Sequence, residues 1–519
     1  MDETKDMSVS RWRGRVSIGL LMGVLTVSSA WAQSSVKGTW DAAFQLNVDG
    51  VHGAVLPSGK VLYVPHRISE NGLTESVVFD PSSPGSAKYV TVPANYFCGG
   101  HTRLADGKLL FMGGEDEIEG SLRKAGYFDY QTETWTEIGS MNRRRWYPSA
   151  IQLGDGSVIV FGGQTSPADV GSNDDTIEFY DPGSGLWAMA GGQNIPGQYE
   201  EAYNRVHLMP DGRIFQSGHL PDSYYYDPVA GTWTLVDRTE LGKARGNSAS
   251  VRLQDGRIFI IGGDNEIAKE IYRSAEVIDL TQPTPRWQSA ASMTTARSFI
   301  DAVVLPDGNV LVVGGDESSG SRSLVPELYD PATNSWSDMA PFTIERGYHS
   351  TTLLLPDGRV IVSGGEGHQG TGHGTGHFGE SAKFEIWNPY YLFSTARPQI
   401  QSLPSVAGYG QTVSMGYSSE RPVSHAVIYR GGSQTHSFSY NQISEPVALA
   451  GVGGGSATFT IPSNPNVLPP NFYMVFLMSA DGVPSVARWI QIGTVTTDIF
   501  ADGFESGTTA SWSSVLGAS

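Results

Sequence analysis

The chain has 519 residues, with 63 glycines, 29 prolines and a formal net charge of −19 at pH 7. That length is ample for more than one domain, and the turn-forming residues spread along it favour an all-β fold with little helix. The acidity, with no basic cluster beyond Arg143-Arg144-Arg145, excludes nucleic acid and anionic lipid as expected partners.

In chain order, Arg11, Arg13 and Arg15 precede an apolar run from Val16 to Ala30, and Ala30-Trp31-Ala32 offers small residues for a peptidase. This is the pattern of a cleavable secretory signal over residues 1–32, too short and too rich in Gly and Ser to span a membrane. No second long apolar run follows, so an exported, soluble, monomeric protein is expected, placed in the periplasm, at the cell surface or in the medium. In such an oxidising compartment Cys98, the only cysteine, has no disulfide partner. It is therefore either buried and inert or committed to chemistry.

From residue 33 to 395 one unit recurs: an apolar strand, a turn carrying glycine, a second apolar strand, often a glycine pair, then an aromatic-Asp-Pro turn and a tryptophan. The turn glycines are Gly59, Gly107, Gly156, Gly212, Gly256, Gly308 and Gly358. Where the turn reads Asp-Gly, the expectation is a two-residue hairpin, since glycine tolerates positive φ. A lone sheet of this length cannot bury both faces, whereas a ring of them can, which predicts a seven-bladed kelch-type β-propeller. A strand near Trp40 is expected to complete the last blade. Residues 396–493 show shorter alternating runs and predict an Ig-like β-sandwich, and residues 494–519 read as a flexible tail.

Counting nine residues back from the turn glycines places Cys98, Tyr147 and His349 in one register, with Tyr348 immediately before His349. Inner strands line the axis of a propeller, so these side chains can face one another. The same offset yields Tyr203, Asn247 and Phe299, so a channel-filling role for Tyr147 and a structural one for His349 stay open. Imidazole and oxygen donors in an open site suit copper better than zinc. The glycine-rich loop with His368, His373 and His377 reads as a cover over the channel mouth or as a second chelate. Tyr203 and Arg245 stand where loops could meet substrate.

Several motifs now resemble the galactose oxidase and glyoxal oxidase family of copper radical oxidases. They are Phe97-Cys98, Arg145-Trp146-Tyr147-Pro148-Ser149, Tyr348-His349-Ser350, Thr435-His436-Ser437 and Gly482-Val483-Pro484-Ser485-Val486-Ala487. The resemblance implies one copper ion held by Tyr147, Tyr348, His349 and His436, with a self-processed thioether joining Cys98 to Tyr147 and carrying a radical. It implies Tyr147, Cys98 and Tyr348 as the catalytic set, with Tyr348 as proton acceptor. Beside it, Tyr203, Arg245 and Thr165 are candidates for substrate contact, against a filled channel for Tyr203 and a surface cation for Arg245. The implied reaction oxidises a primary alcohol or an aldehyde hydrate of a small molecule or glycan with O2, releasing hydrogen peroxide. The separate N-terminal carbohydrate-binding domain of galactose oxidase finds no room here. The place of that enzyme's stacking tryptophan, after Gly162-Gly163, holds Gln164-Thr165, which predicts an unstacked tyrosine. The rival reading is a non-catalytic kelch propeller that binds glycans or a protein.

Overall fold

The structure is a computed structural model that describes residues 34–65, 74–116, 120–166, 173–196, 203–265, 267–317, 320–365 and 380–493. The expected signal, the loop with His368, His373 and His377, and the C-terminal tail lie outside these residues. Among those described the fold is almost wholly β, and no helix is long and apolar enough to cross a membrane.

Seven antiparallel sheets follow one another along the repeat region. Their first strands are His52–Val55, Gly100–Arg103, Ser149–Gln152, Arg205–Leu208, Ala249–Arg252, Asp301–Val304 and Ser350–Leu354. These strands are almost entirely buried, whereas the fourth strands, such as Thr134–Ile138 and Ser335–Asp338, alternate toward solvent. The seventh sheet takes its outer strand from the other end of the repeat region: Thr39–Trp40 pairs with Lys383–Asn388, Trp40 opposite Trp387. The strand expected near Trp40 is therefore present. Closing the repeat with its own first residues ties the two ends of the region together.

The turn glycines have φ between 84° and 91°, the left-handed region that costs glycine nothing. The hairpin itself differs from expectation, because the loop has three residues rather than two. Leu104 N–H donates to Lys108 O and Gly107 N–H to Leu104 O (2.8 and 2.9 Å), enclosing Ala105, Asp106 and Gly107. Asp106 Oδ1 accepts the Lys108 N–H, so the aspartate caps the turn and the glycine supplies the bulge that restores strand twist.

The glycine pairs mark contacts between sheets. A Cβ at Gly113 would lie 2.3 Å from Arg145 O, and one at Gly314 2.6 Å from Arg346 O. The arginines in those contacts belong to a repeated device. Arg145, Arg245, Arg297 and Arg346 pair with the buried Glu178, Glu276, Glu327 and Glu385 on third strands. Each guanidinium also donates to a carbonyl of a neighbouring glycine pair, as Arg145 Nη1 does to Gly162 O at 2.6 Å. The carboxylates in turn accept backbone N–H groups of the incoming loop, among them Asn142 and Arg143 on Glu178. Such charges tolerate burial because each guanidinium meets both a carboxylate and a carbonyl.

Beyond Asn388, a four-stranded and a five-stranded sheet share one apolar cluster, including Val413, Met415, Ile428, Phe459, Val475 and Ile490. From this C-terminal unit a hairpin, Ser433–Thr435 with Phe438–Tyr440, enters the repeat region. Its first strand extends the first sheet, pairing Gly53 with Gln434 and Ala54 with Ser433. Inner strands carry open edges that need partners. Amide side chains on or next to the hairpin provide them: Asn441 Oδ1 accepts Gln152 N–H, Gln442 Oε1 accepts Val304 N–H, and Gln434 Oε1 accepts Thr352 N–H, at 3.0 to 3.1 Å. The hairpin tip, His436-Ser437, is thereby held among first strands of several sheets.

Candidate metal centre

The register nine residues before each turn glycine has a conformational meaning. Cys98, Tyr147, Tyr203, Asn247, Phe299 and His349 all adopt left-handed backbone, with φ of 54°, 61°, 60°, 51°, 55° and 69°. For residues with a Cβ this conformation is uncommon and costs about 1–2 kcal/mol each. Its recurrence in six sheets shows that the scaffold imposes it. The chain reverses just before the first strand and turns these side chains toward one place.

Four of them, Cys98, Tyr147, Tyr203 and His349, meet the hairpin tip there. Cys98 Sγ lies 3.3 Å from His436 Nε2 and 3.8 Å from His349 Nε2. These three donor atoms lie within 4.8 Å of one another, and all three residues are buried. The phenolic oxygens of Tyr147 and Tyr348 are in direct hydrogen-bond contact. The ring of His436 packs against those of Tyr147, Tyr348 and His349, with centroids 5.2, 5.2 and 4.4 Å apart. Residues separated by up to 338 positions thus converge on one point.

Hydrogen bonding sets the orientation of His436. Its Nδ1 is 2.5 Å from Thr435 Oγ1, and that hydroxyl donates onward to Val51 O at 2.9 Å. The hydroxyl proton is committed to Val51, so Nδ1–H must be the donor to Thr435, which leaves the Nε2 lone pair facing Cys98. Burial, followed by the neighbouring His349 and His52, lowers the His436 pKa well below its usual value. A neutral imidazole is the form that binds a metal. Burial raises the Tyr147 pKa well above its usual value, with Cys98 and Tyr348 adding to the effect. A cation at this point would reverse that balance by stabilising the phenolate.

The left-handed turn also arranges the residue before it. Trp146 stacks on Tyr147 with centroids 4.1 Å apart and planes at 29°, and Tyr348 stacks on His349 at 3.8 Å and the same 29°. Tyr147 is therefore not left without a stacked tryptophan. The indole comes from the preceding residue instead of from the segment after Gly162-Gly163, where Gln164 bridges to Trp146 through backbone only. Positive φ folds the chain back so that adjacent side chains overlie each other, a contact that a repeat alignment does not display. Trp146 is half-buried, with its indole N–H unpartnered.

Other residues complete the surroundings. Phe97 packs edge-on to His349, and Phe299 to Tyr348, with centroids 5.1 and 5.0 Å apart. Tyr203, expected to meet substrate, is fully buried beside Tyr147 and His436, and its hydroxyl donates to Gly99 O at 3.0 Å. The guanidinium of Arg245, also expected near substrate, bonds Glu276, Ser274 and Gly262. Thr165 stands half-buried just beyond Gln164. His52 and His101, which the sequence did not single out, lie buried beside Cys98. Cys98 N–H donates to His52 Nε2 at 3.1 Å, and the two imidazoles meet edge to face at 5.1 Å.

Three family descriptions match the chain: the Galactose oxidase-like Early set domain over residues 397–492, the Glyoxal oxidase N-terminus over 272–391, and the Kelch motif over 245–294. The chain is 28% identical to a galactose oxidase of Gibberella zeae across 91% of its own length and 73% of that protein. It is 27% identical to the aldehyde oxidase GLOX of Vitis pseudoreticulata, across 84% and 90% of the two chains. A solved fungal alcohol oxidase of the AA5 family, in complex with copper, superposes with a TM-score of 0.77 at 25% identity, covering 88% of this chain and all of that one. Taken with a buried Cys-His-His cluster beside two touching tyrosines, these matches make the chain similar along most of its length to the galactose oxidase and glyoxal oxidase family of copper radical oxidases.

Proposed function

We propose that the protein is an exported copper-dependent oxidase that converts a primary alcohol or aldehyde hydrate, with O2, into the aldehyde or acid and hydrogen peroxide. The observation that carries this reading is the meeting of Cys98, His349 and His436 with the paired phenols of Tyr147 and Tyr348. Two imidazoles and two phenolic oxygens fit a copper ion with an open position. His349 and His436 would hold it by Nε2, and Tyr147 and Tyr348 by oxygen. The lone cysteine then has a use, since its sulfur would join the Tyr147 ring as a thioether. In this reading the seven sheets close as a propeller around the site, and the C-terminal unit is an Ig-like sandwich that delivers His436 along the axis.

Copper bound here supplies a one-electron redox change, which with the modified phenol makes up the two electrons the reaction needs. The chain's residues manage the rest. Tyr348, a half-buried residue, accepts the substrate hydroxyl proton, and the oxidised Tyr147 takes the hydrogen on carbon. Trp146 shields the Tyr147 ring from water, while Phe97 and Phe299 wall the two ligands of the seventh sheet. Left-handed backbone at Tyr147 and His349 fixes these groups before substrate arrives, so little reorganisation remains for the reaction. Export is the finer part of the proposal and rests on the signal-like residues 1–32.

A peroxide-coupled assay of copper-loaded protein over galactose, glyoxal, methylglyoxal and simple alcohols tests the reading. Peroxide formation that requires both copper and O2 is expected with at least one of these. A protein that binds one copper ion yet makes no peroxide with any alcohol or aldehyde would support the binding-module alternative.

A further inference from the structure

The left-handed residues are linked through their backbones. Tyr147 N–H donates to Cys98 O at 2.7 Å, Tyr203 N–H to Tyr147 O at 3.1 Å, and Phe299 N–H to Asn247 O at 3.0 Å. At these three junctions the N–H of one sheet's register residue is received by the carbonyl of the preceding sheet's, while at the next one the Tyr203 carbonyl is taken by Arg205 Nη1 at 2.6 Å. On the three-junction pattern Cys98 N–H would donate to Gly50 O, since Gly50 holds the register in the first sheet. That carbonyl instead accepts the Thr351 hydroxyl at 3.0 Å, and Gly50 is not left-handed. The Cys98 N–H goes to the side chain of His52, at 3.1 Å from Nε2.

We infer that His52 is a positioning residue for Cys98: its Nε2 replaces the missing backbone acceptor and holds the thiol where it can be joined to Tyr147. This rests on the thioether reading given above. His52 is fully buried, and its ring packs against His101 and His436. The acceptor is therefore a fixed part of the wall rather than a surface group that solvent could replace. Without it, the Cys98 amide would be a buried donor with no partner in a conformation already unfavourable for a residue with a Cβ. The sulfur would then move away from its neighbours. The reaction served is the loss of the Cys98 S–H and one Tyr147 ring C–H with formation of one S–C bond. Its two electrons and two protons pass to O2, giving hydrogen peroxide.

The test follows intact mass and alkylatable thiol with time, after copper is added in air to protein prepared without copper, in wild type, His52→Leu and His52→Gln. Glutamine can place its carbonyl oxygen close to where Nε2 lies, whereas leucine fills similar space with no acceptor. Wild type is expected to lose two hydrogens and its thiol. His52→Gln should do so at a similar rate, and His52→Leu roughly tenfold or more slowly. Processing of His52→Leu at the wild-type rate, or of His52→Gln as slowly as His52→Leu, would overturn the inference. Should His52→Leu fail to fold, the glutamine variant decides alone, since slow processing in it is already contrary. A wild-type chain that keeps its thiol would overturn the thioether reading and this inference with it. Processing at the wild-type rate in both variants would overturn only the inference.

Discussion

The first sheet and the six that follow it use the same strands for different ends. In the six, a left-handed residue opens the first strand and turns a side chain toward the centre, and in four of them a buried Arg–Glu pair locks the preceding loop. The first sheet has glycine at that register, with no left-handed turn. It gives up its inner edge to the hairpin that carries His436, and it offers His52 to Cys98. Regularity thus supplies Cys98, Tyr147, Tyr348 and His349, and the one irregular sheet admits the remaining imidazole.

The comparison can be broken first on the regular side, at the chemistry. Tyr348→Phe removes the proposed proton acceptor while keeping the ring that stacks on His349, so steady-state rates of peroxide formation should fall about 10²–10⁴-fold. A smaller loss would move that role elsewhere. Next comes the locking device. Arg297→Met leaves Glu327 buried without its cation, and a loss of about 3–5 kcal/mol is expected in urea unfolding. A near-neutral result would show that the pair does not anchor its loop.

The irregular side should respond more gently. Thr435→Val removes the acceptor that orients His436, and competition titration should find copper affinity lowered about 10–100-fold. The hairpin's seat gives a pH signature. Asp301, which accepts from Gln434 Nε2 at 2.9 Å and from the Thr352 hydroxyl at 3.2 Å, has its pKa pushed up by burial to about 6. With a folded pKa above the unfolded one, its contribution to stability is present at low pH and lost as pH rises through about 6. The wild type should therefore gain of order 1 kcal/mol between pH 7 and pH 5 relative to Asp301→Asn. An unchanged difference across that range would place the carboxyl's titration elsewhere.

Much of this architecture is legible in the sequence, for reasons that particular residues make clear. The turn glycines mark the seven sheets because each must adopt positive φ. Counting back from them aligns Cys98, Tyr147 and His349 because the strand between is of nearly constant length. Legibility fails where contacts ignore the repeat. His436 arrives from outside it, and its place follows from the Thr435-His436-Ser437 motif rather than from any periodicity. Trp146 is not legible as the ring on Tyr147 because adjacent side chains in a strand point to opposite faces, and only the left-handed turn brings them together. Had the register been read as a left-handed position, an aromatic just before it, as at Trp146 and Tyr348, would have stood out. Arg245 is hard to read for the opposite reason: a lone arginine in a loop looks available, and its partner Glu276 lies two strands away.

The most direct test of the central claim is a peptide map of the protein after copper loading in air, with a thiol-alkylating reagent present during unfolding. The account predicts that the peptides containing Cys98 and Tyr147 are recovered as one covalently joined species, lighter than their sum by two hydrogens and unalkylated. Recovery of the Cys98 peptide alone and fully alkylated, from protein carrying one copper per chain, would contradict it.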